Sequence, residues 1–141
     1  MTLAADIAVR AGFGVVTVSG TVDGGHGLVL DSKNTINLAQ DIGTTTRLAS
    51  LETPGSGTTN ISATTVRTSG EQIYRGRVWL TFGTPPRTTV LEAATVRILA
   101  GLVGQNNSLI IDGDAEFGGQ AEMATDVSSV GLTVSGASLI D

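Results

Sequence analysis

Slid against itself by 81 positions, this 141-residue chain meets its own pattern again, and that self-similarity restricts the fold more than any other property. Val15 falls on Val96, Val18 on Leu99, Gly20 on Gly101 and Val22 on Val103. The run Leu28-Val29-Leu30-Asp31 falls on Leu109-Ile110-Ile111-Asp112. Further along, Ile36 meets Phe117, Asp41 meets Glu122, Ile42 meets Met123 and Leu51 meets Leu132. Upstream, a shift of 77 brings Leu3 onto Leu80, and the difference is absorbed near Gly83-Thr84-Pro85-Pro86, an insertion-like turn. Apolar character and turn glycines persist while polar residues drift, as expected when two stretches bury equivalent faces. The chain therefore reads as one solenoid unit over 1–141, with internal repeats over about 2–77 and 78–141. It opens inside one repeat and stops before a second copy of Thr64–Arg77, so the expectation is a piece of a longer array with an added initiator Met.

Local patterning is that of strands. Nineteen Gly, twenty Thr and fourteen Val accompany a single lysine, Lys33. Branched side chains suit a pleated surface, and Gly permits tight turns. Strands are expected at Val15–Val18, Gly27–Leu30, Thr35–Leu38, Thr46–Leu51, Asn60–Val66 and Arg77–Phe82. Others are expected at Thr95–Leu99, Ser108–Ile111, Ala115–Phe117, Gly131–Val134 and Ser138–Ile140. Turn chemistry separates them, for example Asp23-Gly24-Gly25, Pro54-Gly55-Ser56-Gly57 and Asp112-Gly113. Only Leu91–Ala94 offers a single helical turn.

Two all-β architectures fit this spacing, a β-solenoid and an antiparallel β-sandwich. A sandwich carries a larger aromatic core than the 4% of aromatic residues here. A solenoid interior takes Val, Ile, Leu, Ala and Thr, and its coils repeat. A parallel β-helix is therefore favoured, with about six coils at roughly 20–25 residues each. Its ends would expose free strand edges that invite end-to-end self-association.

Charge and composition exclude several partners. A net charge of −5 provides no cationic surface for a phosphate backbone, so no nucleic acid is expected. No apolar run reaches the roughly 20 residues of a membrane-spanning helix. The absence of Cys removes disulfides and thiolate metal sites. The first residues lack a secretion signal, so an exported protein would need one supplied from elsewhere. No cofactor is expected.

The stretch Val66-Arg67-Thr68-Ser69-Gly70-Glu71-Gln72-Ile73-Tyr74-Arg75-Gly76-Arg77-Val78-Trp79-Leu80 resembles a TSG-x-Q-x-Y-x-x-x-V-x-L motif. That motif recurs in long bacterial exoproteins of the filamentous-haemagglutinin-like, two-partner-secretion and autotransporter type. Leu3-Ala4-Ala5-Asp6, Ser19-Gly20-Thr21-Val22-Asp23-Gly24, Ser108-Leu109-Ile110-Ile111-Asp112-Gly113 and Leu132-Thr133-Val134-Ser135-Gly136 are similar to other parts of the same repeat. The resemblance implies a right-handed parallel β-helix, exported through an outer-membrane pore and displayed as a fibre or adhesin. It transfers no catalytic residue. Arg75, Arg77 and Arg87 depart from the pattern, standing where small or acidic residues are common.

Few side chains suggest chemistry. Asp112, Asp114 and Glu116 alternate and would line one strand face, as weak candidates for a metal or a general acid; a turn followed by a solvated strand face is the favoured reading. EF-hand spacing is absent, and Gly24-Gly25-His26-Gly27 lacks the Asp that a calcium nonapeptide needs after it. His26, the only imidazole, has no nucleophile elbow beside it. Tyr74 and Trp79 offer flat rings for stacking on a sugar, with core packing as the competing role. Arg75 and Arg77 would extend that ligand surface toward acidic glycans, unless carboxylates pair with them. Asn60-Ile61-Ser62 and Asn106-Asn107-Ser108 match the glycosylation triplet. The Thr runs are too irregular for an ice-binding ladder.

The expectation is a structural repeat module of a large bacterial surface or secreted fibre, non-catalytic, meeting a host or neighbour-cell glycan or protein. A β-helix enzyme acting on polysaccharide is the rival, and a self-assembling filament subunit is the third reading.

Overall fold

The computed structural model describes residues 1–81, 87–118 and 131–140. The turn expected at 83–86, the end of the strand expected to reach Phe82, and the repeat partners Glu122 and Met123 lie outside them. The strands are β1 (Ile7–Gly12), β2 (Val16–Val18), β3 (Gly27–Ser32), β4 (Thr35–Leu38), β5 (Ser50–Thr53), β6 (Thr58–Ile61) and β7 (Thr65–Arg67). They continue with β8 (Glu71–Tyr74), β9 (Val78–Leu80), β10 (Thr88–Ile98), β11 (Leu102–Val103), β12 (Ser108–Phe117), β13 (Gly131–Val134) and β14 (Ser138–Ile140). Every pairing between them is parallel, and no helix occurs among the described residues. The chain is a β-solenoid of about six coils, which removes the antiparallel sandwich.

Each coil visits three faces in turn. The first carries the bridges Thr2–Asp23, Val22–Ile42 and Ile42–Val66, then β7, the start of β10, the start of β12, and β13. The second stacks β1, β3, β5, β8, the end of β10, the end of β12, and β14. The third is the five-stranded sheet β11-β9-β6-β4-β2. The first two faces join in one sheet because β10 and β12 run on through the corner between them.

Alternation fixes which side chains point inward, since successive residues of a strand face opposite ways. On the first face Val22, Ile42, Val66, Leu91 and Ile111 form an inner row. On the third, Ile36 stacks on Thr59, Val78 and Leu102, all fully buried. Rows from all three faces meet in one apolar cluster, so the interior is filled with side chains rather than open. Parallel stacking at about 4.8 Å per coil places each inner side chain directly on its counterpart.

Partners in register stand between 19 and 25 residues apart: Val96 pairs Ala115, whereas Thr65 pairs Val90. The 81-residue shift is not a whole number of such coils. It carries Leu28 on the second face to Leu109 on the first, and Ile36 on the third to Phe117 on the second. All four are buried. What that shift detects is the inward phase of the strands, not their position around the coil.

Several local expectations are corrected. Leu91–Ala94 is strand, not a helical turn: it lies within β10, pairing β7 and β12, with Leu91 and Ala93 inward. The stretch expected as one strand over Asn60–Val66 is split between β6 and β7 by a corner at Ala63. The strand expected at Thr46–Leu51 begins only at Ser50, because Leu48 turns inward at a bend. β1, β8 and β11 were not expected as strands.

Candidate functional site

The side chains singled out by type are held by bonds between coils. Asp114 Oδ1 accepts the Ala137 N–H at 2.8 Å, and Asp112 Oδ1 accepts the Ser135 hydroxyl at 2.8 Å. Glu116 pairs with Arg97 Nε at 2.8 Å, which pushes that guanidinium still further above its ordinary pKa. The three carboxylates thus form no common site. Among the described residues no group of three or more His, Asp or Glu is placed to hold a metal ion.

The same device recurs at other corners. Asp23 Oδ1 accepts the N–H groups of Thr45 (2.8 Å) and Thr46 (3.2 Å); Asp41 Oδ1 accepts those of Thr64 (2.8 Å) and Thr65 (3.0 Å). Asp6 Oδ1 accepts the Gly27 N–H at 2.8 Å, and His26 Nδ1 lies 3.7 Å from the same oxygen. A carboxylate is short enough to reach the next coil and accepts two bonds where the backbone turns away from its ladder. The Thr45 N–H is the main reason the Asp23 carboxyl sits below its ordinary pKa. Because folding lowers that value, Asp23 stabilises the fold fully above the ordinary carboxylate pKa and loses that contribution as pH falls from there through its lowered folded value.

The proposed ligand surface divides. Tyr74 is fully buried in the core and belongs to no surface, because its inward position on β8 stacks it on Ile98. Its hydroxyl donates to Gln72 Oε1 at 2.9 Å, while Gln72 Nε2 donates to the carbonyls of Val66 (2.9 Å) and Glu92 (3.1 Å). The TSG-x-Q-x-Y stretch is therefore an internal hydrogen-bonded brace. Gln72 stands in an aliphatic row between Leu51 and Val96, and its amide supplies donors where two successive coils turn the corner. Arg75 pairs with Glu52 at 3.2 Å. Trp79 lies on the outside of the third face, half-buried, with its indole N–H unpartnered. Arg77 is half-buried just before β9. Tyr74 and Trp79 sit on opposite sides of the wall and do not make one stacking platform.

Burial raises the Tyr74 phenol well above its ordinary pKa near 10. A raised phenol binds its proton more tightly folded than unfolded, so this contribution is complete below pH ~10 and is lost as pH rises beyond it. Tyr74 is the only tyrosine, so phenolate absorbance near 295 nm is expected to appear only with loss of the folded CD signal. A phenolate signal in the folded protein near pH 10 would contradict its burial.

Two features were missed in the sequence. On the third face Asn60 Nδ2 donates to Asn37 Oδ1 (3.0 Å), and Asn37 Nδ2 to Thr17 Oγ1 (3.2 Å), an amide ladder pointing one way along the axis. None of β2, β4, β6, β9 and β11 carries a charged residue. Among the described residues the charges lie on the other two faces and their corners, where Glu92 binds Arg67 of the preceding coil (2.6 Å) and Arg47 of the coil before that. The second feature is an apolar groove of about 400 Å³ at the amino-terminal end, lined by Met1, Ile7, Val9, Val16, Leu28 and Leu30 among others. Spacings of 20 and 23 residues between Thr17, Asn37 and Asn60 were the available signal for the ladder.

No helix among the described residues is long and apolar enough to cross a membrane. No family model, curated protein or solved structure matches the chain.

Proposed function

We propose that this chain is a structural repeat module of a large bacterial surface or secreted fibre, non-catalytic, serving adhesion or filament assembly. One observation carries this reading: Asp112, Asp114, Glu116 and Arg75, the side chains best suited to chemistry, are each engaged by an adjacent coil. A general acid or base must be able to change its proton at the substrate, and these groups hold the scaffold together instead. The third face, uncharged in its described strands, and the two charged ones leave broad flat surfaces for a glycan or a protein at the cell boundary. The resemblance around Gln72 and Tyr74 supports the extracellular placement and the export route through an outer-membrane pore.

The discriminating experiment incubates the protein with a panel of neutral and acidic polysaccharides. Retention without release of reducing ends or unsaturated products is expected. Asp114→Ala is expected to lower thermal stability by about 1 kcal/mol through loss of its bond to Ala137. Turnover by the parent protein that vanishes in a folded Asp114→Ala variant would establish the polysaccharide enzyme instead. Immunogold labelling of intact producer cells is expected at the surface, and label confined to the interior would remove the extracellular reading.

A further inference from the structure

We infer that the third face binds a neutral polysaccharide laid along the solenoid axis, across the rungs, with Trp79 as its stacking residue. The inference rests on the scaffold reading above and names its ligand class. Parallel pairing brings Thr17, Asn37, Asn60 and Trp79 into one outward row, one side chain from each of β2, β4, β6 and β9. Hydroxyls flank this row. Thr35 stands in register with Thr58 on one side, and the Ser62 hydroxyl lies 3.1 Å from that of Thr81 on the other. Rungs recur at about 4.8 Å, a spacing comparable to the length that one sugar ring takes up in an extended chain.

The chemistry of the row suits hydroxyls and not charges. No charged residue lies on β2, β4, β6, β9 or β11. An amide carries two N–H donors and an accepting oxygen, and the ladder engages one N–H of Asn60 and one of Asn37. The capacity beyond the ladder gives to and accepts from a sugar hydroxyl, which itself does both. The ladder also orients the amides before a ligand arrives, so little side-chain freedom is lost on binding. At Trp79 the row changes character. Its indole nitrogen is buried although the residue is only half-buried, so the part of the ring that meets solvent is carbon. A flat carbon surface beside amides matches a pyranose, which has an apolar C–H face and a hydroxyl edge. An acidic polymer fits less well. On the charged faces Arg47, Arg67, Arg75 and Arg97 each meet a carboxylate, which a bound anion would have to displace.

Affinity electrophoresis of the whole chain tests this, in gels holding hydroxyethyl cellulose, galactomannan or alginate. Retardation is expected in a neutral gel, unchanged by added salt because no ion pair forms, and not in alginate. Trp79→Ala is expected to weaken it by about tenfold. Asn60→Asp, which keeps the shape and puts a charge in the row, is expected to weaken it by a similar factor. Arg75→Gln on the second face is expected to bind as the parent does. CD and melting curves identify the folded variants, and Asn60→Asp carries the test if Trp79→Ala does not fold. Retardation by alginate alone would overturn the proposal, as would neutral-gel retardation that every folded variant keeps in full. Attachment through Trp79 to cultured cells whose glycans have been enzymatically removed would give the face to a protein, and the proposal would fall. No retardation in either neutral gel would also overturn it, while the turnover assay and surface labelling would still decide the scaffold reading separately.

Discussion

Gly113→Val is expected to destabilise the protein by about 3 kcal/mol or more, the larger of two strong single-residue effects. At Gly113 the backbone takes φ 143°, where side-chain-bearing residues are strained. A Cβ there would lie 1.9 Å from the Ala93 carbonyl oxygen of the coil before, a backbone atom that cannot step aside. This is the corner where Ala93 and Ala94 of β10 face the single residue Gly113 of β12, a β-bulge between the pairs Glu92–Asp112 and Thr95–Asp114. Gly113 also donates its N–H to Ser135 Oγ and accepts the Gly136 N–H, so distortion spreads to the next coil. A fall in Tm of roughly 10 °C follows for a chain of this size. Gly20→Ala is the control: nothing lies within 4 Å of a Cβ there, and its melting point is expected to change little. Equal melting of Gly113→Val and its parent would show that the corner is not closed as described.

Gln72→Leu is expected to cost about 2–3 kcal/mol, although leucine suits the aliphatic row it would join. The loss is in the polar groups left behind. Tyr74 would keep a buried hydroxyl with no acceptor, and the carbonyls of Val66 and Glu92 would each lose a donor. Tyr74→Phe alone is expected to cost about 1–2 kcal/mol, since it removes one bond and leaves Gln72 Oε1 unpaired. The double variant is expected to be more stable than the two losses added together, by about 1 kcal/mol, because the orphaned hydroxyl leaves with its acceptor. Strict additivity in urea denaturation would mean that the two side chains do not act as a pair.

How much of this was legible follows from the range over which each interaction acts. β4, β13 and β14 were readable to the residue, because turn residues bracket a clean alternation. Asn60–Val66 read as one strand because Ala63, buried at the corner, prolongs the apolar alternation between β6 and β7. Leu91-Glu92-Ala93-Ala94 are good helix formers, and pairing on both sides of β10 overrides that preference. Inter-coil partners were beyond reach for a different reason. Glu52 and Arg75 are 23 residues apart, and so are Asp114 and Ala137. Such pairs become visible only once the coil length is known, and the 81-residue shift conceals it by falling between whole coils. Tyr74 was ambiguous because a hydroxyl suits either a wet surface or a buried partner, and Gln72 decides between them.

Almost every carboxylate staple joins one winding to the next, with Arg47 to Glu92 reaching one winding further. Such a molecule has a grain. Pulled from its two termini, it lets go one loop of chain at a time, each freeing some 20 residues, or about 70 Å of slack, while the remainder keeps its shape. A rod built this way yields under a sudden tug in small steps and does not fail all at once.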